Sequence, residues 1–251
     1  MNLMIQTKEY AGLWLVNEAW QQWQEQLALI LKQNDLKLIF TPNPEQLILA
    51  RKNPHFAALL KQADYLIPDG VGVVKAGGFK QRLTGLATAE YLLNANLIPT
   101  ERILLIGGRY QQFTSQGKLV IGQTQLYYTP GYQNAFLPTI SETKSIQRLI
   151  TNKKPLIVMV AFGAPMQEEF LVSQREFLER AGVKLALVVG GSFDVFLNLV
   201  PRAPECWQDL GLEWLWRLFC QPWRWRRQLA LSEFLYCHYR FYRQQKKSTK
   251  C

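Results

Sequence analysis

The chain predicts an α/β fold: a doubly wound, mostly parallel, Rossmann-like sheet of about six strands, followed by a C-terminal helical, cationic-aromatic appendage. The sheet is expected because short apolar runs alternate with stretches of helical length. Most of these runs stop at Gly or Pro beside polar residues, as strands do where their carboxyl ends open into loops. The appendage is expected from the charge. From Trp214 onward nine Lys and Arg face the single acid Glu233, so eight of the chain's ten net positive charges lie there, behind an entrance holding five of its eight tryptophans.

A chain of 251 residues with 48% apolar and 12% aromatic content folds, and has room for one large domain with an appendage. The division is expected at residue 200, with a core over 1–200 and the appendage over 201–251. No run approaches the roughly 20 uncharged apolar residues of a membrane span. The opening residues Met1 to Glu9 lack the apolar core and cleavage site of a signal peptide, so a cytoplasmic location is expected. Cys206, Cys220, Cys237 and Cys251 show no C-x-x-C spacing, which argues against a zinc site or a disulfide framework. His55 and His238 stand in no Ser/His or Cys/His constellation. Asp-x-Asp, a common device for holding a metal under a nucleotide diphosphate, does not occur.

In chain order, Glu18 to Lys32 carries Trp20, Trp23, Leu27, Ile30 and Leu31 near helical spacing, and Leu36 to Phe40 reads as a buried strand. Thr41-Pro-Asn-Pro-Glu45 ends that strand and restarts a helix running through Ala63. Thr41 and Asn43 are thereby left at a strand's carboxyl end, facing the expected place of Asp69. Simple helix capping is the other reading of both residues. Tyr65-Leu-Ile-Pro-Asp-Gly-Val-Gly-Val-Val74 is an apolar run that stops at Pro68 and presents Asp69 before Gly70 and Gly72. Loops at strand ends carry the chemistry of α/β proteins, which makes Asp69 a candidate general base; a solvated Asp-Gly turn is the alternative.

Gln81-Arg-Leu-Thr-Gly85 precedes a helix over Ala87 to Leu97, and Arg102 to Gly108 is a strand entering a glycine turn. Gln125 to Tyr128 is a further strand, Ser141 to Thr151 a helix, and Pro155 to Ala161 a strongly buried strand. Phe162-Gly-Ala-Pro-Met-Gln-Glu-Glu169 follows, with Pro165 placed to start a helix and Gln167 in its first turn, where an amide both donates to and accepts from a sugar or diphosphate. Lys184 to Val189 is the last strand, and Gly190-Gly-Ser-Phe-Asp194 sets another carboxylate just past glycines. In the appendage, two helices are separated at Pro222. Their interleaved Arg and Trp admit three readings: packing on the body, a nucleic-acid surface, or an amphipathic segment at anionic lipid.

Seven pieces in series carry a resemblance: Thr41-Pro-Asn43, Pro68-Asp-Gly-Val-Gly-Val73, Arg82-Leu-Thr-Gly85, Gly163-Ala-Pro-Met-Gln-Glu168, Phe193-Asp194, Arg202-Ala-Pro204 and Glu213-Trp-Leu-Trp-Arg217. In this order they resemble the WecG/TagA/CpsF family of glycosyltransferases over nearly the whole chain. The resemblance implies transfer of an N-acetylmannosamine-type sugar from UDP to a polyprenyl-diphosphate-linked N-acetylglucosamine, in the synthesis of teichoic acid or another bacterial surface polysaccharide. It implies Asp69 as the base, Thr41, Asn43, Arg82 and Gln167 lining the sugar and acceptor pocket, and Asp194 at the ribose of UDP. Arg217, Arg224 and Arg227 stand where the family's appendage brings arginines to the diphosphate. Guanidinium supplies that charge in place of a metal, so no metal or other cofactor is expected. The expected partners are the UDP-activated amino sugar, the lipid-linked acceptor and the anionic inner face of the bacterial plasma membrane, with no nucleic acid. A rival reading is a non-catalytic nucleotide-binding α/β protein whose basic tail grips single-stranded nucleic acid.

Overall fold

The computed structural model describes residues 5–107, 117–121, 124–130, 138–191, 195, 200–222 and 225–248. The described chain opens with an antiparallel ribbon, β1 (Thr7–Tyr10) and β2 (Leu13–Val16), closed by Ala11 and Gly12, both at positive φ, as a two-residue hairpin requires. Then follow α1 (Trp20–Lys32), β3 (Lys37–Phe40), α2 (Pro44–Lys52), α3 (Pro54–Leu60), β4 (Tyr65–Leu66), α4 (Val71–Gly77), α5 (Gly85–Asn94), β5 (Ile103–Gly107), β6 (Gly117–Ile121) and β7 (Thr124–Thr129). The second half holds α6 (Ile140–Lys153), β8 (Ile157–Ala161), α7 (Met166–Ser173), α8 (Arg175–Arg180), β9 (Leu185–Val188), α9 (Glu205–Asp209), α10 (Glu213–Cys220) and α11 (Trp225–Ser248).

The main sheet has the order β4-β3-β9-β8-β5-β7-β6. Its first six strands are parallel, as expected, and β6 adds an antiparallel seventh at one edge. Side chains alternate across it with the strand period of two. Leu38, Phe40, Leu104, Ile106, Val158, Val160, Ala186 and Val188 face a core closed by α2, α3, α6, α7 and α8. Ile39, Ile103, Leu105, Ile157, Met159, Leu185 and Leu187 face a second core under α1 and α5. Helices therefore cover both faces, which is why the central strands read as continuous apolar runs.

Three features depart from expectation. The ribbon β1–β2 has no apolar run long enough to announce it. The helix expected through Ala63 is divided at Asn53-Pro54, because Pro54 lacks an N–H to continue α2 and Asn53 caps α3 by accepting from the Phe56 N–H at 3.2 Å. The loop expected after Asp69 is also short: α4 begins at Val71, directly after Gly70, whose φ of +89° turns the chain.

At the carboxyl edge, adjacent β5 and β8 send their connections in opposite directions, β5 toward β7 and β8 toward β9. Open α/β sheets place their ligands at this carboxyl edge, and the expected site residues among those described lie to one side of the switch point, after β4, β3, β9 and β8. The C-terminal helix α11 lies along α2, and its Phe234, 4% exposed, joins the first core.

Candidate active site

Four strand ends converge at this edge. Thr41 follows β3, and the loop after β4 is tied to it by the Asp69 N–H, which donates to the Pro42 carbonyl at 3.2 Å. Thr41 is buried, and a Cβ on Gly85 would stand 3.1 Å from its Cγ2 and 3.5 Å from the Val188 carbonyl oxygen, so β3, α5 and β9 meet closely there. Asp69 lies among them, partly accessible. Burial pushes its carboxyl up to about 6, against the pull of the Arg82 guanidinium and of N–H groups donated by Gly85 and Gly70; Glu213 pushes it up further. A carboxylate held at that value is mostly ionised at neutral pH yet more basic than an ordinary aspartate, which suits a general base.

The segment after β9 closes over this place. Gly211 packs on Val71 of α4, where an added Cβ would fall 2.8 Å from the valine Cγ2. Two residues on, Glu213 at the start of α10 forms an ion pair with Arg82. One helical turn further, Arg217 donates from Nη2 to the carbonyl of Gly191 beyond β9. Contacts from α10 thus reach Arg82, in the loop just ahead of α5, and the loop after β9, and they bring a guanidinium to the same edge as Asp69.

A family model described as "Glycosyl transferase WecG/TagA/CpsF family" matches residues 9–250. The chain belongs to that family. As a WecG/TagA/CpsF glycosyltransferase it works with a nucleotide-sugar donor and an acceptor, and the carboxyl-edge crevice with its enclosed carboxylate is the candidate active site.

The other expected site residues of this glycosyltransferase divide into three groups. Thr41, Asp69, Arg82, Gln167 and Arg217 gather around the carboxyl edge. Asn43 lies there too, but its side chain caps α2: Oδ1 accepts from the Gln46 N–H at 2.9 Å while the Asn43 N–H donates to Gln46 Oε1 at 3.0 Å. Asp194 and Arg224 lie outside the described residues, as does the side chain of Arg227 in α11. Gln167 is 3% exposed; its Oε1 accepts from the Gly163 N–H at 3.2 Å, and its Nε2 donates to Glu168 at 2.9 Å. Only part of its bonding capacity is therefore open to a ligand.

Three further residues of the site carried weaker signals. Glu213 is the acid that engages Arg82, and it opens the Glu213-Trp-Leu-Trp-Arg217 motif, in which the resemblance gives a role to Arg217 alone. Gln46 is the third residue of α2, the position from which a glutamine reciprocates an Asn cap. Glu168 is fully buried at 0% exposure, and burial pushes its carboxyl up to about 7 against hydrogen bonds from Gln167 and Gln46. A Gln-Glu pair at the start of a helix entering the core is the signal that marks it.

A cavity of about 530 Å³ opens elsewhere, lined by Tyr10 and Leu13 of the ribbon, Leu47 and Arg51 of α2, and Phe234 and Cys237 of α11. No helix among the described residues is long and apolar enough to cross a membrane.

Proposed function

We propose that this glycosyltransferase moves an N-acetylmannosamine-type sugar from UDP to a polyprenyl-diphosphate-linked N-acetylglucosamine in the synthesis of a bacterial cell-surface polysaccharide or teichoic acid. Asp69 takes the proton from the acceptor hydroxyl as its oxygen attacks the anomeric carbon, and the bond from that carbon to the UDP oxygen breaks. The departing diphosphate gains negative charge, which Arg217, Arg224 and Arg227 offset as fixed guanidinium groups. Thr41, Asn43, Arg82 and Gln167 line the sugar and acceptor pocket, and Asp194 contacts the ribose of the donor.

The observation that carries this reading is the docking of α10 at the edge that holds Asp69, through Glu213–Arg82 and Arg217–Gly191, which joins the base to the arginine-bearing segment. The division at residue 200 follows the same logic: the core up to there holds donor and base, and residues 201–251 close the site at the membrane. Trp225, Leu229, Tyr236 and Tyr239 are all exposed on α11 at spacings that place them on one side, opposite Ala230, Phe234 and Cys237, which face the core. Such a surface, together with the C-terminal cationic charge, suits the anionic inner leaflet, at on the order of 1 kcal/mol per basic residue near it.

The test is a panel of UDP-N-acetylhexosamines assayed with a short-chain lipid-diphosphate-N-acetylglucosamine acceptor, with and without EDTA. Turnover with UDP-N-acetylmannosamine that survives EDTA is expected. Turnover abolished by EDTA and restored by Mg²⁺ would assign the leaving-group charge to a metal instead. No turnover with any of these pairs, alongside tight binding of single-stranded RNA, would favour the binding-protein alternative.

A further inference from the structure

Glu168 takes no part in the chemistry above, yet it is fully buried between two strand-end loops. A single oxygen, Oε1, accepts from Gln167 Nε2 at 2.9 Å and from Gln46 Nε2 at 3.0 Å, while Oε2 has no partner among the described residues. Each of these amides is held at its other end as well: Gln167 Oε1 by the Gly163 N–H at 3.2 Å, and Gln46 Oε1 by the Asn43 N–H at 3.0 Å. One carboxyl oxygen therefore joins the loop after β3 to the loop after β8. Gln167 also borders the end of β9, since a Cβ on Gly190 would stand 3.5 Å from its Oε1 and 3.7 Å from its Nε2.

A buried carboxyl with a bare oxygen is a poor way to hold a fold together, because an apolar side chain of the same size would avoid the desolvation cost. What the carboxyl does provide is direction. A glutamine amide fits its slot either way round, and only its neighbours decide which end is the donor. With the acceptor Glu168 on one side and the donor Gly163 N–H on the other, the reversed amide would set oxygen against oxygen and N–H against N–H.

We infer that Glu168 is a positioning residue for sugar transfer, locking the Gln167 amide, and Gln46 with it, in one of two orientations so that a fixed N–H donor is presented at the crevice. This rests on the reading of Gln167 as a substrate contact.

The experiment is a double-mutant cycle on the full chain, with Glu168→Met, which keeps length and removes both acceptors, and Gln167→Ala. Melting temperature, UDP affinity and kcat/KM are measured for each variant. Glu168→Met is expected to fold and to lose roughly 10- to 100-fold in kcat/KM, the scale of a small misplacement in the site. Gln167→Ala should cost a similar factor in the parent but less than about 3-fold in the Glu168→Met background, because the two act as one unit. Glu168→Gln, whose carbonyl oxygen still accepts both N–H groups, should recover most of the activity lost in Glu168→Met. If Gln167→Ala is harmless in the parent, the reading of Gln167 falls and the inference with it. If it is harmful but costs the same factor in both backgrounds, only the inference about Glu168 falls. Should Glu168→Met fail to fold, Glu168→Gln decides: activity within about 3-fold of the parent supports the positioning role, and native melting with any larger loss overturns it.

Discussion

Asp69 combines a shortage of water with a nearby guanidinium, two influences of opposite sign of which burial is the larger. In the proposed mechanism its carboxyl, held at about 6, sets the acid limb of the reaction. Activity should rise as pH increases through about 6, since the base works only when ionised. Asp69→Asn keeps the shape and loses the basic site, so transfer should fall about 10²- to 10⁴-fold with UDP affinity nearly unchanged. Rate profiles from pH 5 to 8 and calorimetric titration of UDP check both; near-parental turnover in the variant would remove Asp69 from the mechanism. Asp69 was legible in the sequence because Pro68 and Gly70 bracket it, and its neighbours were legible only as types. That Arg82 faces Glu213 depends on a distance between segments far apart in the chain, which spacing along the chain does not encode, whereas the use of the Asn43 side chain on Gln46 is local and matches the capping reading of the sequence.

Helix α11 shows how one element keeps two surfaces apart. Phe234 lies against the core, with its ring centroid 6.4 Å from that of Tyr10, while Leu235 is 56% exposed next to it. Phe234→Ala should destabilise the protein by about 3 kcal/mol, the scale of a large-to-small change in a core. Leu235→Ala should change stability by less than about 0.5 kcal/mol and weaken binding to anionic liposomes. Urea unfolding and vesicle co-sedimentation separate the two, and equal losses of stability would mean that both sides of the helix pack. Packing on the body and the proposed contact with lipid, which the sequence left as competing readings of the appendage, are compatible because the core-facing and the exposed residues of α11 lie on different sides. Elements with a strong period or a proline boundary were legible: the buried strands, α1, α6, and the break at Pro222. The ribbon β1–β2, with Trp14 exposed and Leu13 and Leu15 buried, alternates over too few residues to stand out, and β6 is ordered by pairing with β7.

Across the whole molecule, the two raised carboxyls make stability depend on pH in a stated direction. The folded state holds protons on Asp69 up to about 6 and on Glu168 up to about 7, whereas the ordinary values are 3.8 and 4.5. Between those limits the folded chain binds more protons than the unfolded one, so this share of stability is complete below about pH 4 and is lost as pH rises to 7. For Glu168 the loss is about 3 kcal/mol. Glu168→Gln, which does not titrate, should therefore gain on the parent between pH 5 and pH 8 in parallel urea titrations; a constant difference would mean that Glu168 is not raised. The layered architecture was legible at this scale because both sheet faces are covered and the strands are apolar throughout, but the strand order was not, since any parallel arrangement satisfies the same pattern. That order has a consequence for synthesis on the ribosome. The strands β3 and β4 and the strands β5, β6 and β7 emerge first, yet β3 and β5 never pair with each other; β9 and β8 stand between them. Until β8 and β9 leave the exit tunnel, the nascent chain carries two separate pieces of sheet, each with an apolar edge open to other chains. The loops around Asp69 and Gln167 come together only when those last strands close the gap.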